Sequence, residues 1–375
     1  MKIHEIQAKS FIRRHRRIDS WFISKYGMNL YRGCAHNCVY CDGRNEKYQV
    51  QNVFGTDVEV KINAISLLQK ELSLQRRQKY YKNGFIMVGG GVGDSFQPAE
   101  ETYKLTRKTL EMLNAFHLPV HILTKSTLVT RDIDVLKEIN EKTKSLISFS
   151  FSSTNDELSK MIEPGVGLPS ERLTVIKQLK KEGFHCGVFL LPVIPFLTDT
   201  LDIMKRSIQD FHEAGIDYLL FGGMTLKTGK QKTFFYQMLS RHFPSLIPSY
   251  EMIYQDDKWG NPIEPYHRSI NQTFHTLMKH YPIPKQIPAS LFNEVVTEHD
   301  RIVLILQQMD YLLKSQQRPS PYGYAAYNIS KIKENISLIK HDLQQIKGVG
   351  KVTENIILEI IETKSSTYYE KLLFQ

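Results

Sequence analysis

The sequence is poor in cysteine, nearly without tryptophan, and free of long apolar runs. No stretch approaches the roughly 18 uninterrupted apolar residues of a membrane-spanning helix, so none is expected to cross a bilayer. The basic segment Met1 to Arg17 is not followed by the apolar core of a secretion signal, which makes a cytoplasmic protein the expectation. Only four cysteines occur, and three of them, Cys34, Cys38 and Cys41, fall within eight residues. Such crowding excludes the spread framework of a disulfide-stapled secreted domain and points to thiolates held on a metal in a reducing compartment. Low-complexity tracts are missing too. What is present is a hydrophobic fraction of 41% with 19 Phe and 19 Tyr, enough apolar surface to offset chain ordering and exclude a disordered or fibrous chain. Lys and Arg outnumber Asp and Glu by 49 to 39, which favours polyanionic partners without identifying one.

Between residues 28 and 242 short apolar runs alternate with amphipathic stretches. The runs Met28 to Arg32, Phe85 to Gly89, Val120 to Thr124, Leu146 to Phe151, Gly187 to Leu191 and Tyr218 to Gly222 read as strands; Thr102 to Asn114 and Ser170 to Lys181 read as helices. Repeated βα units predict a parallel sheet, open or curled into a barrel, with functional groups at the carboxyl ends of its strands. The predicted organisation is a basic arm over 1–27, the βα core over 28–242 and a Pro- and aromatic-rich, then helical, extension over 243–314. A linker over 315–330 and a small helical module over 331–375 follow.

The triplet Cys34-Ala-His-Asn-Cys38-Val-Tyr-Cys41 follows the first predicted strand. Three thiolates on a cubane cluster would leave one iron open to a further ligand, whereas a closed zinc site would need a fourth ligand, such as His36 or the distant Cys186. Cys186 itself reads as a small core residue.

The C-x3-C-x2-C spacing within Met28-Asn-Leu-Tyr-Arg-Gly-Cys-Ala-His-Asn-Cys-Val-Tyr-Cys-Asp-Gly-Arg resembles the radical S-adenosylmethionine (SAM) superfamily, in the branch that contains spore photoproduct lyase. Gly93-Asp-Ser-Phe-Gln-Pro-Ala-Glu100, Thr124-Lys-Ser126, Arg131-Asp-Ile-Asp134, Ile162-Glu-Pro-Gly165, Ser170-Glu-Arg172 and Leu191-Pro-Val-Ile-Pro195 extend the resemblance over about residues 15 to 250. It implies an α/β fold, a partial (β/α)6 TIM-like barrel, with a 4Fe-4S cluster on Cys34, Cys38 and Cys41 and SAM chelated to the fourth iron. Reductive cleavage of SAM would give a 5'-deoxyadenosyl radical that abstracts hydrogen, and an electron donor such as flavodoxin or ferredoxin would be a partner. For the cofactor it implies Tyr40 against the adenine, the glycine segment Gly89, Gly90, Gly91 and Gly93 with Asp94 near the SAM amino group, and Lys125, Ser148, Ser150 and Arg172 toward its carboxylate and ribose, with Glu163 a weaker candidate. One departure stands out: the lyase branch places a hydrogen-donating cysteine near the glycine segment, and Gly89 to Gln97 contains none.

Near the carboxyl terminus, Lys347-Gly348-Val349-Gly350-Lys351 lies between apolar faces formed by Leu343/Ile346 and Ile356/Ile357/Ile360, and resembles a helix-hairpin-helix motif. Glycines let such a turn lie against a phosphate while free N–H groups of the following helix meet the anion. A helical hairpin that packs on the barrel or docks a protein is the alternative. The run Arg13-Arg14-His15-Arg16-Arg17 adds a local charge of +4 with histidine neutral. Together these favour an enzyme that repairs or modifies nucleic acid, duplex DNA ahead of RNA. Two other readings are an enzyme for a protein or small molecule, and a non-catalytic iron-sulfur DNA-binding or sensor protein.

Overall fold

Apolar β-rich runs that alternate with amphipathic helices build two sheets in the computed structural model, which describes residues 1–10, 12–48, 53–73, 81, 83–89, 92–255 and 257–375. The strands are β1 (Lys2–Ile6), β2 (Ile12–Asp19), β3 (Ser24–Met28), β4 (Tyr31–Arg32), β5 (Asp57–Lys61), β6 (Phe85–Gly89), β7 (Val120–Thr124), β8 (Ser145–Phe151), β9 (His185–Val193) and β10 (Tyr218–Gly223). The larger sheet has the order β10-β9-β8-β7-β6-β3-β2, six parallel strands in sequence order with β2 added antiparallel at one edge. This is the predicted α/β, partial TIM-like architecture, unclosed between β10 and β2 among the described residues.

The first barrel strand is β3, upstream of the predicted Met28 to Arg32. Tyr31 and Arg32 instead join β1 and β5 in a small three-stranded sheet, where Arg32 reaches Glu59 at 2.9 Å and the buried Tyr31 hydroxyl donates to Glu100. These long-range partners outcompete the local apolar pattern. Residues 1–27 likewise hold β1, β2 and most of β3.

The two ends of the barrel are closed differently. At the amino ends of the strands, Ile23, Phe85, Leu146, Tyr218 and Leu220 pack in one core with Leu304, Leu306 and Met309 of the helix Glu298–Ser315. That core continues without a break into Ile336, Leu343, Ile357, Ile360 and Leu372 from residues 331–375. Full burial of each such aliphatic side chain contributes about 1.5–3 kcal/mol, so the tail is part of the barrel's closure. Inside, a polar layer links His121 Nε2 to Ser148 Oγ (2.7 Å) and Ser148 Oγ to Tyr218 OH (2.6 Å).

The hairpin expectation is met only on its second side. The helix Lys351–Thr363 follows the turn, but the segment before it forms two short 3-10 turns, Ile336–Ile339 and Leu343–Gln345. Ile336 and Leu343 are buried in these turns, and Ile332, Ile339 and Ile346 pack against the same core.

Candidate active site

The loop between β3 and β5 carries the cysteines over the carboxyl ends of the barrel strands. Cys34, Cys38 and Cys41 line one cavity of about 100 Å³ with His36, Val92, Gly93, Asp94, Leu123, Thr124, Lys125 and Ser150. These residues come from the ends of β6, β7 and β8 and from the cysteine loop itself, where a parallel barrel gathers functional groups.

Four buried clasps hold the loop in place. Gln97 accepts from Ala35 N (2.9 Å) and donates to the Gly33 carbonyl (3.2 Å). His36 bridges the Gly165 carbonyl (Nδ1, 3.0 Å) and Asp94 (Nε2 to Oδ2, 3.1 Å). Arg44, stacked 3.5 Å from the Phe234 ring centroid, donates to the carbonyls of Cys38 (3.2 Å) and Phe54 (3.2 Å). The fourth is backbone: Val39 N donates to Ile162 O (2.9 Å) and Gly165 N to His36 O (3.0 Å). Gly165 is needed for that approach, since a Cβ there would sit 2.3 Å from the Ala35 carbonyl oxygen.

Two carboxylates anchor this end. Asp94 accepts from Thr124 Oγ1 (2.8 Å), Lys125 N (2.7 Å) and Phe96 N (2.8 Å) besides His36. Burial alone would raise its pKa, but the His36 and backbone hydrogen bonds together outweigh burial and hold it below the usual carboxylate range. Glu163 is the second. It accepts from Lys125 Nζ (2.9 Å), Arg172 (2.8 Å), Ser152 (3.2 Å), Ser159 (3.2 Å) and the Tyr40 hydroxyl. Burial opposes its ionisation, yet the Lys125 and Arg172 charges together with the hydroxyl and ammonium hydrogen bonds prevail and keep it well below the usual range.

The residues expected from the sequence therefore separate into two shells of different depth. Lys125, Ser150, Gly93 and Asp94 line the cavity with the three cysteines. Arg172 is fully buried behind Ser150, its guanidinium on the Ser150 carbonyl (2.6 Å) and on Glu163, so it steadies the wall and does not face the cavity. Tyr40 is buried: its hydroxyl donates to Glu163, its ring belongs to the core that holds Val39, Ile162 and Leu226, and the Lys125 ammonium lies 5.6 Å from the ring centroid. Ser148 lies deeper than expected: it shares the inward face of β8 with Ser150 but sits two residues further from the cavity, where its hydroxyl joins the His121–Tyr218 layer inside the barrel. Gly89 contributes a positive φ of 88° that turns the chain at the end of β6. Gly90 and Gly91 lie outside the described residues. Cys186 is a core residue of β9, fully buried among apolar side chains.

Gln97, His36 and Arg44 were not identified as loop clasps from the sequence. Gln97 lies inside the Gly93 to Glu100 motif, which was the one available signal. His36 and Arg44 flank the cysteines, but their partners are set by folding.

Residues 28–208 match the Radical SAM superfamily. Among curated relatives, uncharacterized proteins of Mycobacterium bovis and Mycobacterium tuberculosis are 29% identical over 278 residues, covering 71% of this chain and 79% of theirs. An uncharacterized protein of Methanocaldococcus jannaschii is 29% identical over 231 residues, 61% of this chain and 80% of its own. Among solved structures, spore photoproduct lyase with bound AdoMet and dinucleoside spore photoproduct is similar with a TM-score of 0.52 at 14% identity, covering 72% of this chain and 78% of that one. That likeness establishes a shared fold.

The match to the Radical SAM superfamily over residues 28–208 implies an enzyme with an iron-sulfur cluster and SAM, and the donor set fits such a group. Burial raises all three loop thiols, Cys34 to about 12, so only a bound cation would hold them as thiolates. Among the described residues no three His, Cys, Asp or Glu side chains converge on a single ion. Three thiols spread around one cavity suit a polynuclear cluster, in which each binds a different iron, better than a single zinc.

Proposed function

We propose that this protein is a radical SAM enzyme that carries a 4Fe-4S cluster on Cys34, Cys38 and Cys41 and modifies or repairs nucleic acid, duplex DNA ahead of RNA. The observation that carries the enzymatic part is the common cavity of the three cysteines with Lys125 and Ser150. When bound, cluster and SAM would supply a carbon-centred radical able to abstract a hydrogen atom from substrate. The chain's own residues do the positioning. Lys125 Nζ, held by Glu163 at 2.9 Å, presents a fixed cation at the cavity wall where a carboxylate of SAM can bind. Ser150 lines the same wall, its hydroxyl donating to the Leu191 carbonyl (2.9 Å), which leaves the oxygen lone pairs free to accept. Gly93 leaves the opposite wall without a side chain.

The nucleic-acid part rests on the net charge of +10, on the Lys347–Lys351 turn with its following helix, and on the fold shared with a lyase solved with a dinucleoside lesion. No cysteine occupies Gly89 to Gln97, so the reaction proposed here differs from that lyase's in how the product radical would be quenched. Anaerobically reconstituted protein with a reductant should contain iron and cleave SAM, and duplex DNA should change the rate. Stoichiometric zinc without iron, or iron without SAM cleavage, would overturn the enzymatic reading; cleavage indifferent to DNA and RNA would move the substrate to a protein or small molecule.

A further inference from the structure

The proposed turn and the cluster cavity lie at opposite ends of the barrel. The Lys347–Lys351 turn packs on the helix Tyr322–Ile329 at the amino end: a Cβ on Gly348 would meet the Tyr324 ring at 2.6 Å, and Asn328 Nδ2 donates to the Lys347 carbonyl (2.9 Å). A partner held only there would not reach Cys34, Cys38 or Cys41. Something must span the side of the barrel.

β2 does so. It is the edge strand beside the unclosed side, pairing only with β3 among the described residues, and it runs antiparallel with Arg13 opposite Gly27 and Asp19 opposite Ser24. Its start therefore lies at the cavity end and its finish at the amino end. Arg13, Arg14, Arg16 and Arg17 are all exposed, and none forms an ion pair among the described residues. At the cavity end, the Arg13 charge acts on Tyr48, whose hydroxyl donates to Asp42 (2.6 Å), the residue after Cys41. At the other end Arg17 lies 4.3 Å from the Tyr327 ring centroid, with Lys331 at 3.7 Å from the same ring, one residue from the Asn328 that grips the turn. The four arginines cover roughly 13 Å of strand, a length that faces about four phosphates on one DNA strand.

Resting on the nucleic-acid reading above, we propose that the arginine edge of β2 is the track along which duplex DNA lies, joining the Lys347–Lys351 turn to the mouth of the cluster cavity. Four exposed arginines within five residues, without ion pairs among the described residues and with an aromatic ring where the track meets the turn, match a phosphate backbone. An exposed edge strand also gains from charge that blocks strand addition, and that is the competing role.

Fluorescence anisotropy of a duplex of about 30 bp, titrated across salt on the reconstituted full-length protein, separates them. Replacing all four (Arg13→Gln, Arg14→Gln, Arg16→Gln, Arg17→Gln) should weaken binding at least ~10-fold and lower the salt slope by about one per arginine on a phosphate. The matching Arg→Lys set should keep most of the slope. Should the quadruple variant aggregate, the pair Arg14→Gln, Arg16→Gln gives the same readout at about half the size. Wild-type affinity and slope in the Gln variants would overturn the track while leaving the nucleic-acid reading standing. No duplex binding by wild type at any salt would overturn both.

Discussion

The same six parallel strands end in two chemically opposite places. At their carboxyl ends the chain buries charge: Asp94, Glu163 and Arg172 are enclosed, each with several hydrogen-bonding partners, and the result is a cysteine loop fixed by groups far away in sequence. At their amino ends it buries hydrocarbon, with Ile302, Leu304, Leu306 and Leu312 of one helix fully enclosed. Polar clasps fix position but are intolerant of a missing partner, whereas apolar packing supplies stability and tolerates substitution by degrees. Damage at the carboxyl end should therefore lower iron per folded molecule, whereas damage at the amino end should lower stability alone.

The sharpest separation is expected at the thiols. Cys34→Ala, Cys38→Ala and Cys41→Ala should each remove the iron chromophore and SAM cleavage, while Cys186→Ala, in the core of β9, should keep both and lose about 1 kcal/mol or so of stability. Iron analysis and visible absorbance check this. Next in size, Glu163→Gln would leave Lys125 and Arg172 without their shared carboxylate, an expected loss of about 3–5 kcal/mol by denaturant titration. Leu306→Ala should cost a similar 2–5 kcal/mol through its cavity, yet the folded fraction should load iron normally. If both variants lost iron per folded molecule equally, the contrast between the ends would collapse.

Acid should also act on the two ends in turn. His121, in the barrel interior, is held neutral by burial with its pKa lowered to about 4. Its unfolded form takes up a proton first, so stability falls as pH drops from about 6.5 toward 4, by up to about 3 kcal/mol. Asp94 and Glu163 are lowered carboxylates: their contribution is complete above about 4.3 and is lost as pH falls through their folded values. Melting curves should show the Glu163→Gln deficit constant above that pH and shrinking below it. The smallest effect tests the loop's fit. Gly165→Ala should lower iron loading several-fold and cost some stability as well, because its Cβ would sit 2.3 Å from the Ala35 carbonyl oxygen and push on the loop backbone. Gly183→Ala, with open space around it but a φ of 84°, should lose about 1 kcal/mol and no iron.

What could be read from the sequence follows the same division. The cysteines lie within eight residues, and five of six strands are apolar runs bounded by turn signals, so short-range pattern was sufficient for both. Lys125 and Ser150 were legible as strand-end residues. The hydrogen-bond partners of Tyr40, Ser148 and Arg172, which are Glu163 and Tyr218, lie up to 123 residues away and are chosen by the fold, so the depth of these three side chains could not be read from the sequence. The first strand was displaced for the same reason, since β4 is defined by β5. The continuous helix expected before Gly348 is replaced by two 3-10 turns although Ile332, Ile336, Ile339, Leu343 and Ile346 recur at helical spacing, so there the local pattern was misleading.

The shared core at the amino end bears on how this protein could be taken apart or recombined. Lys285 N donates to the Leu373 carbonyl (2.9 Å), and the Tyr369 hydroxyl donates to Gln308 (2.6 Å) of the helix that plugs the barrel. The last residues are thus stitched to the floor of the enzyme. Residues 331–375 are not a cassette: grafted onto another scaffold they would lack the part of their core that the plug helix supplies, and trimmed from this one they would leave that helix bare. Limited proteolysis after Lys331 should yield a nicked, still associated molecule, and shuffling among relatives should succeed only when plug helix and tail are exchanged together.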